Sequence, residues 1–214
     1  MASKIFSIFQ NIIFHHIGKK IRPGSLKGFM DKTFVIFEKV AFNFEKIANF
    51  YLEIYEDMIE NELSMLDLPK CKKILVIGSG SLPVTPILIA KKTDADIIGV
   101  DIDKKAIKKS LAYIKKIGLE NQIKLVLANG LIYPVKDFDA IFMLYGIRQQ
   151  KEMLSYLSKN MSNSTELIFR TVTDNGKIRI DYDYGDLSEW FKVVNNIKSY
   201  GLGEVDSFLL KKKI

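Results

Sequence analysis

Two hydrophobic rhythms divide the chain. From Ile5 to Ile17 apolar residues recur at positions 5, 6, 8, 9, 12, 13 and 17, a helical repeat that the Arg22-Pro23-Gly24-Ser25 stretch breaks. A second helical run covers roughly 31–66, bent or interrupted near 43–49. Ile54, Met58, Ile59 and Leu63 form its buried stripe, and Glu53, Asp57 and Glu60 face outward. After Pro69 short apolar runs alternate with helices. Strands are predicted at Lys73–Ile77, Asp96–Val100, Ile123–Leu127, Ala140–Leu144 and Leu167–Arg170, and helices at Pro83–Lys92, Lys104–Ile117 and Gln149–Met161. Gly118 stands where a helix C-cap favours glycine. Phe191–Ile197 and Val205–Lys211 read as two strands joined by a Gly201-Gly203 turn. This alternation implies an α/β fold: a Rossmann-like, doubly wound, mostly parallel seven-stranded sheet over 69–214, with a helical N-terminal cap over 1–68.

Composition narrows the function classes. With 48% hydrophobic and 27% charged residues in 214, the chain builds a sizeable core. No apolar run reaches the ~18–20 residues of a membrane span, and no small-residue cleavage site follows the early apolar residues. A single cysteine, Cys71, excludes an internal disulfide and a cysteine zinc cluster, and a reducing, cytoplasmic setting follows. The net charge of +7 rests on lysine doublets at predicted helix surfaces and on Lys211 to Lys213. Arginine, the better reader of phosphates and bases, is scarce, so a solvated lysine face is preferred to a nucleic-acid partner. Nine of 14 phenylalanines fall in the first 50 residues, which suits a lid or a homodimer surface on the first helices, or a helix lying on a bilayer. His15-His16 point differently on a helix and have no evident third ligand, so no metal site is expected.

The chemistry-bearing motif follows the first strand, at Gly78-Ser79-Gly80-Ser81-Leu82-Pro83. The chain must turn sharply there and present backbone N–H groups at a helix start, where they hold an anion. Pro83 supplies no donor, so the turn suits a small carboxylate better than a pyrophosphate. Asp101 lies 23 residues after Gly78, at the end of the second strand and just before Ile102, where a carboxylate accepts both hydroxyls of a ribose. Turn and acid together fit S-adenosylmethionine, an amino acid joined to a nucleoside. Asn129-Gly130, after the third strand, is placed to read the adenine edge, or is simply a turn. The late strand pair resembles the terminal hairpin of class I S-adenosylmethionine-dependent methyltransferases.

A narrower resemblance follows. Gly-Ser-Gly-Ser-Leu-Pro-Val-Thr from Gly78 is similar to the Gly-Ser-Gly-Pro-Leu-Pro turn of nicotianamine synthases and their archaeal relatives. Tyr55 to Glu62 resembles that family's Asn-Tyr-x-x-Leu-x-x-Leu-Glu helix, with Glu62 at the motif glutamate. Phe169-Arg170-Thr171, followed by Gly176 and Tyr182, resembles its Arg-Ser/Thr segment, and Glu204-Val205-Asp206-Ser207 its Glu-Val-x-Asn-Ser ending. The resemblance implies transfer of the aminocarboxypropyl group of S-adenosylmethionine rather than its methyl group. Ser81 replaces a family proline, Asn61 a leucine and Asp206 an asparagine.

Alkyl transfer from a sulfonium needs in-line positioning, water exclusion and an acceptor with a free lone pair. Glu62 is the candidate base, or else part of a solvated acidic helix face, and Tyr145, after the fourth strand, is the second catalytic candidate. Tyr55, Arg170 and Tyr182 are candidates to hold substrate, Arg170 by gripping a carboxylate or else by forming a structural ion pair. Gly78, Ser79, Gly80, Ser81, Leu82, Asp101, Ile102, Asn129 and Gly130 are assigned to the cofactor. The expected activity is methyl transfer from S-adenosylmethionine to a small molecule, releasing S-adenosylhomocysteine. The alternative is aminocarboxypropyl transfer, releasing methylthioadenosine. An RNA-modifying methyltransferase and a non-catalytic cofactor-binding module are the further readings.

Overall fold

The structure, a computed structural model, describes residues 45–147, 149–171, 173–174, 177–178, 184–200 and 204–213. The expected first helix, the front of the second, His15, His16, Tyr182 and the Gly201-Gly203 turn lie outside them. The chain parts into two compact units, Met1–Val40 and Ala41–Ile214, and every described element belongs to the second.

The inner strands of the sheet form where a short apolar run is buried on both faces. β1 (Lys73–Ile77) and β3 (Ile123–Leu127) match the expected bounds residue for residue. β2 (Asp96–Asp101) gains a residue, β5 (Glu166–Thr171) gains one at each end, and β4 (Ala140–Met143) loses one. The terminal pair is β8 (Phe191–Tyr200) and β9 (Glu204–Lys212). The sheet has seven strands in the order β3-β2-β1-β4-β5-β9-β8. β1 to β5 run parallel, while β9 is antiparallel to both β5 and β8. The strand order reverses between β1 and β4, and open α/β sheets bind ligands outside the carboxyl ends of strands at such a point.

α1 (Glu45–Ser64) buries Tyr51, Tyr55, Met58, Ile59 and Leu63 but only half-buries Ile54, which was expected in the stripe, while Glu53, Asp57 and Glu60 are exposed as their spacing predicts. α2 (Val84–Lys92) is buried from Val84 to Ala90, all round the helix, because it lies between α1 and the sheet. Lys92 closes the α1–α2 contact, donating to Glu56 at 3.1 Å and to Glu60, and the Glu60 bond holds its ammonium above the usual lysine range. α3 (Lys104–Lys116) starts on Asp103, whose side chain accepts from Lys105 N at 2.7 Å. It ends in a Schellman motif: Gly118 at φ +71° donates to Lys115 O, and Leu119 to Ile114 O. α4 (Gln150–Asn160) covers the opposite face of the sheet, together with a short α5 (Tyr184–Trp190). There Met153, Leu154, Leu157, Leu187 and Phe191 pack on Ile141, Met143, Phe169 and Phe208. α5 and the small ribbon of β6 (Thr173–Asp174) with β7 (Lys177–Ile178) have no counterpart in the sequence expectations.

Candidate functional site

The glycine turn leaves β1 and folds back on β2. Gly78 and Gly80 take φ of +86° and +71°, a region side-chain-bearing residues rarely adopt. Gly78 N and Ser79 N both donate to Val100 O, at 2.8 and 3.1 Å, and Gly80 N donates to Asp101 Oδ2 at 2.8 Å. The other carboxylate oxygen of Asp101 accepts from Asp103 N at 2.9 Å. Turn and acid, 21 residues apart between Gly80 and Asp101, are thus hydrogen-bonded partners at one edge of the sheet. The Ser79 side chain is buried, and its Oγ has no hydrogen-bond partner among the described residues. It lies against Gly99, where an added Cβ would stand 3.1 Å from Ser79 Cβ and 2.6 Å from Leu125 Cδ2. Sequence reasoning missed Gly99. The signal was a glycine inside an otherwise apolar strand, which marks a close approach. Ser81 and Leu82 are buried, Leu82 as a core residue.

Beyond Asp101 the edge turns apolar and open. Ile102 is 73% exposed, Leu127 48% and Ile132 76%. These three large apolar side chains follow the ends of β2 and β3 and are left open to solvent. Leu127 and Ile132 had not been assigned a role. Asn129 does make a turn: its Oδ1 accepts from Leu131 N at 3.0 Å. Its side-chain nitrogen has no partner among the described residues and can still donate to a base edge. Gly130 is buried, and a Cβ there would stand 2.7 Å from Ile77 Cγ2 and 2.8 Å from Met153 Cε, so its smallness serves core packing.

A second, buried polar cluster centres on Glu62, which is 0% exposed. Arg170 Nε donates to its Oε1 at 2.6 Å, Arg170 Nη2 to its Oε2 at 2.5 Å, and Ser207 Oγ to Oε1 at 2.5 Å. Arg170 Nη1 donates to Thr85 Oγ1 at 2.9 Å. Glu62 is therefore not on a solvated acidic face. Of the two possibilities held for Arg170, this structure forms the ion pair, with Glu62 as the carboxylate it grips. The signal for Glu62 lay in its spacing: it falls on the stripe of Tyr51, Tyr55, Met58 and Ile59, where an acid needs a partner. Ser207 and Thr85 were missed as members of the cluster. Tyr55 is buried in a tilted ring contact with Tyr51, centroids 4.9 Å apart. Tyr145 lies half-buried just past β4, its carbonyl accepting from Gln150 Nε2 at 3.0 Å. Among the described residues no three His, Cys, Asp or Glu side chains converge as for a metal, and no helix is long and apolar enough to cross a membrane.

Comparison with known proteins first identifies the class. The fold is that of S-adenosylmethionine-dependent transferases. The chain is similar to magnesium protoporphyrin IX methyltransferase (ChlM) from Synechocystis PCC 6803 with bound SAH, at 13% identity and TM-score 0.59, over 75% of this chain and 84% of that one. It is also similar to MtNAS in complex with MTA and tNA, at 17% identity and TM-score 0.71, over 84% of this chain and 70% of that one. The family model described as nicotianamine synthase protein matches residues 13–210, and the chain belongs to that family. The L-histidine 2-aminobutanoyltransferase of Yersinia pestis is 23% identical over 120 residues, which are 56% of this chain and 45% of that protein, so the chain spans less than half of this relative's length.

Proposed function

We propose that the protein transfers the 3-amino-3-carboxypropyl group of S-adenosylmethionine to an amine on a small molecule. The observation that supports this reading is the Gly80–Asp101 hydrogen bond, which joins the glycine turn to the acid at the end of β2 in a nicotianamine synthase family member. The residues present suit the cofactor. The N–H groups of Gly78, Ser79 and Gly80 are engaged with Val100 and Asp101, and the buried Ser79 hydroxyl, unpartnered among the described residues, is a donor the turn keeps for the amino acid's carboxylate. Asp101 faces the ribose, while Ile102, Leu127 and Ile132 with the Asn129 amide form an adenine seat. The bound sulfonium supplies a cationic leaving group, so a C–S bond breaks as the acceptor nitrogen forms a C–N bond, and neutral methylthioadenosine leaves. The protein's part is to hold the acceptor in line, keep water out and accept the N–H of the acceptor at Glu62, with Tyr145 on the same carboxyl edge.

The family match favours this arm over the methyl group. Methyl transfer to a small molecule is the second reading, supported by the fold shared with methyltransferases. In this proposal residues 69–214 hold the cofactor and α1 contributes Glu62. Homodimerisation through the Phe-rich N-terminal segment rests on its sequence pattern, and a cytoplasmic setting on the single free cysteine.

Incubation with S-adenosylmethionine and a panel of amines, read by mass analysis, tests the reading. Methylthioadenosine and an acceptor heavier by an aminocarboxypropyl group are expected. S-adenosylhomocysteine would establish methyl transfer instead, and tight cofactor binding with neither product would point to a non-catalytic module.

A further inference from the structure

The hydrogen bonds of Glu62 are countable. Its Oε1 accepts two, from Arg170 Nε and Ser207 Oγ, and its Oε2 accepts one, from Arg170 Nη2. A carboxylate offers about four acceptor sites, so one is left, on Oε2. The cluster draws on four elements: Glu62 from α1, Thr85 from the first turn of α2, Arg170 from the carboxyl end of β5 and Ser207 from β9, its register partner. All four residues are buried. A staple between helix and sheet does not need this chemistry, because well-packed apolar residues hold such a junction equally well or better than a buried ion pair. The cluster also lies where a function is expected, at the carboxyl edge of the parallel strands, and Thr85 ties it to the helix that starts at the glycine turn.

We infer that Arg170, held by Thr85, is a positioning residue for the transfer. With Ser207 it occupies three acceptor sites of Glu62 and fixes the orientation of the fourth, on Oε2, which is buried in this structure and which the proposed transfer assigns to the N–H of an amine acceptor. Arginine is required because only its planar fork fixes both carboxylate oxygens at once. A lysine would keep the charge and lose the orientation. Thr85 Oγ1 takes the outer nitrogen and stops the fork from rotating about the Arg170 side chain. The inference rests on the proposed transfer from S-adenosylmethionine to an amine and names the part of the protein that selects the acceptor's approach.

The test uses the full chain with R170K and T85V, the second removing only the hydroxyl that accepts from Nη1 and leaving both buried charges paired. Calorimetry with S-adenosylmethionine and thermal melting come first, then steady-state kinetics with the amine that the wild type uses. R170K is expected to lower kcat about 10- to 100-fold, as misplacement of a reacting group does, while the acceptor KM changes by less than about threefold and cofactor affinity by less than about twofold. T85V is expected to lower kcat about three- to tenfold with the same split. R170Q, without the charge, should fall below R170K. Wild-type kcat in folded R170K and T85V would overturn the positioning role, as would a loss of cofactor affinity in step with kcat, which would assign the cluster to the glycine turn. The wild-type product reports on the underlying reading separately. Methylthioadenosine supports it whatever the variants do, and a wild type that binds cofactor yet releases no methylthioadenosine overturns both.

Discussion

Asp101 serves two ends with one carboxylate. Each oxygen accepts a backbone N–H, from Gly80 and from Asp103, and each retains acceptor capacity. Asp101→Asn keeps the shape but leaves one accepting oxygen, so it loosens the turn and weakens the seat for a ribose together. Because a hydrogen bond to a charged group is worth about 1.5–3 kcal/mol, S-adenosylmethionine affinity should fall about 10- to 100-fold by calorimetry. Unchanged affinity would remove Asp101 from the site. Cys71 gives a pH prediction of known sign. Its thiol is pushed up to about 11, by burial first and then by the nearby carboxylates of Glu166, Asp139 and Asp67. The folded chain therefore keeps a proton that the unfolded chain loses near the ordinary thiol value of 9.0. This contribution to stability is intact below pH 9 and drains away between pH 9 and 11. Denaturant titrations at pH 8 and pH 11 should show wild type losing more stability than Cys71→Ala over that interval. At this scale the motif residues were legible because glycine, acid and amide each carry a local backbone or charge requirement. Gly99 was visible only as a glycine inside an apolar strand, because what it must make room for, Ser79 and Leu125, lies on neighbouring segments.

α1 shows what spacing reveals about an element and what it hides. The apolar stripe and the exposed acids on its other side follow from a 3.6-residue period. The partner of Glu62 does not, because Arg170 is 108 residues away and Ser207 145 residues away. The first five strands were legible to within a residue at each end, since short apolar runs stand out against polar loops, while β8 runs three residues past its expected end. The segment holding β6, β7 and α5 was not, because its elements are only two to seven residues long and lack a clear period. The α1 junction makes a sharp energetic prediction. Glu62→Ala or Arg170→Ala alone leaves a buried charge without its partner and should cost about 3–5 kcal/mol in urea denaturation. The paired change Glu62→Leu with Arg170→Met should cost less than either single change. If the paired change instead costs the sum of the two, the residues do not act as a couple.

For the whole molecule, the decisive arrangement is that β9 lies inside the sheet, between β5 and β8. Residues Val205 to Leu210 are buried without interruption, so the final strand is core rather than trim. A chain cut after Trp190 would bare Leu167 and Phe169 on β5, and should show no cooperative melting transition by circular dichroism. A cooperative melt near the wild-type temperature would contradict the sheet order. The sequence pattern announced a terminal strand pair, but not which of its two strands would touch β5. Pairing partners are set by packing across the sheet, which a single strand's alternation does not encode.

The late arrival of Ser207 also orders events during synthesis. A ribosome that has released α1 through β5 has produced Glu62 and Arg170, yet nothing to satisfy the open edge of β5 or the second donor to Oε1. Contacts spanning this much chain form late, because closing so long a loop is slow. The nascent polypeptide therefore exposes an unfinished sheet margin until β9 slots in beside β5.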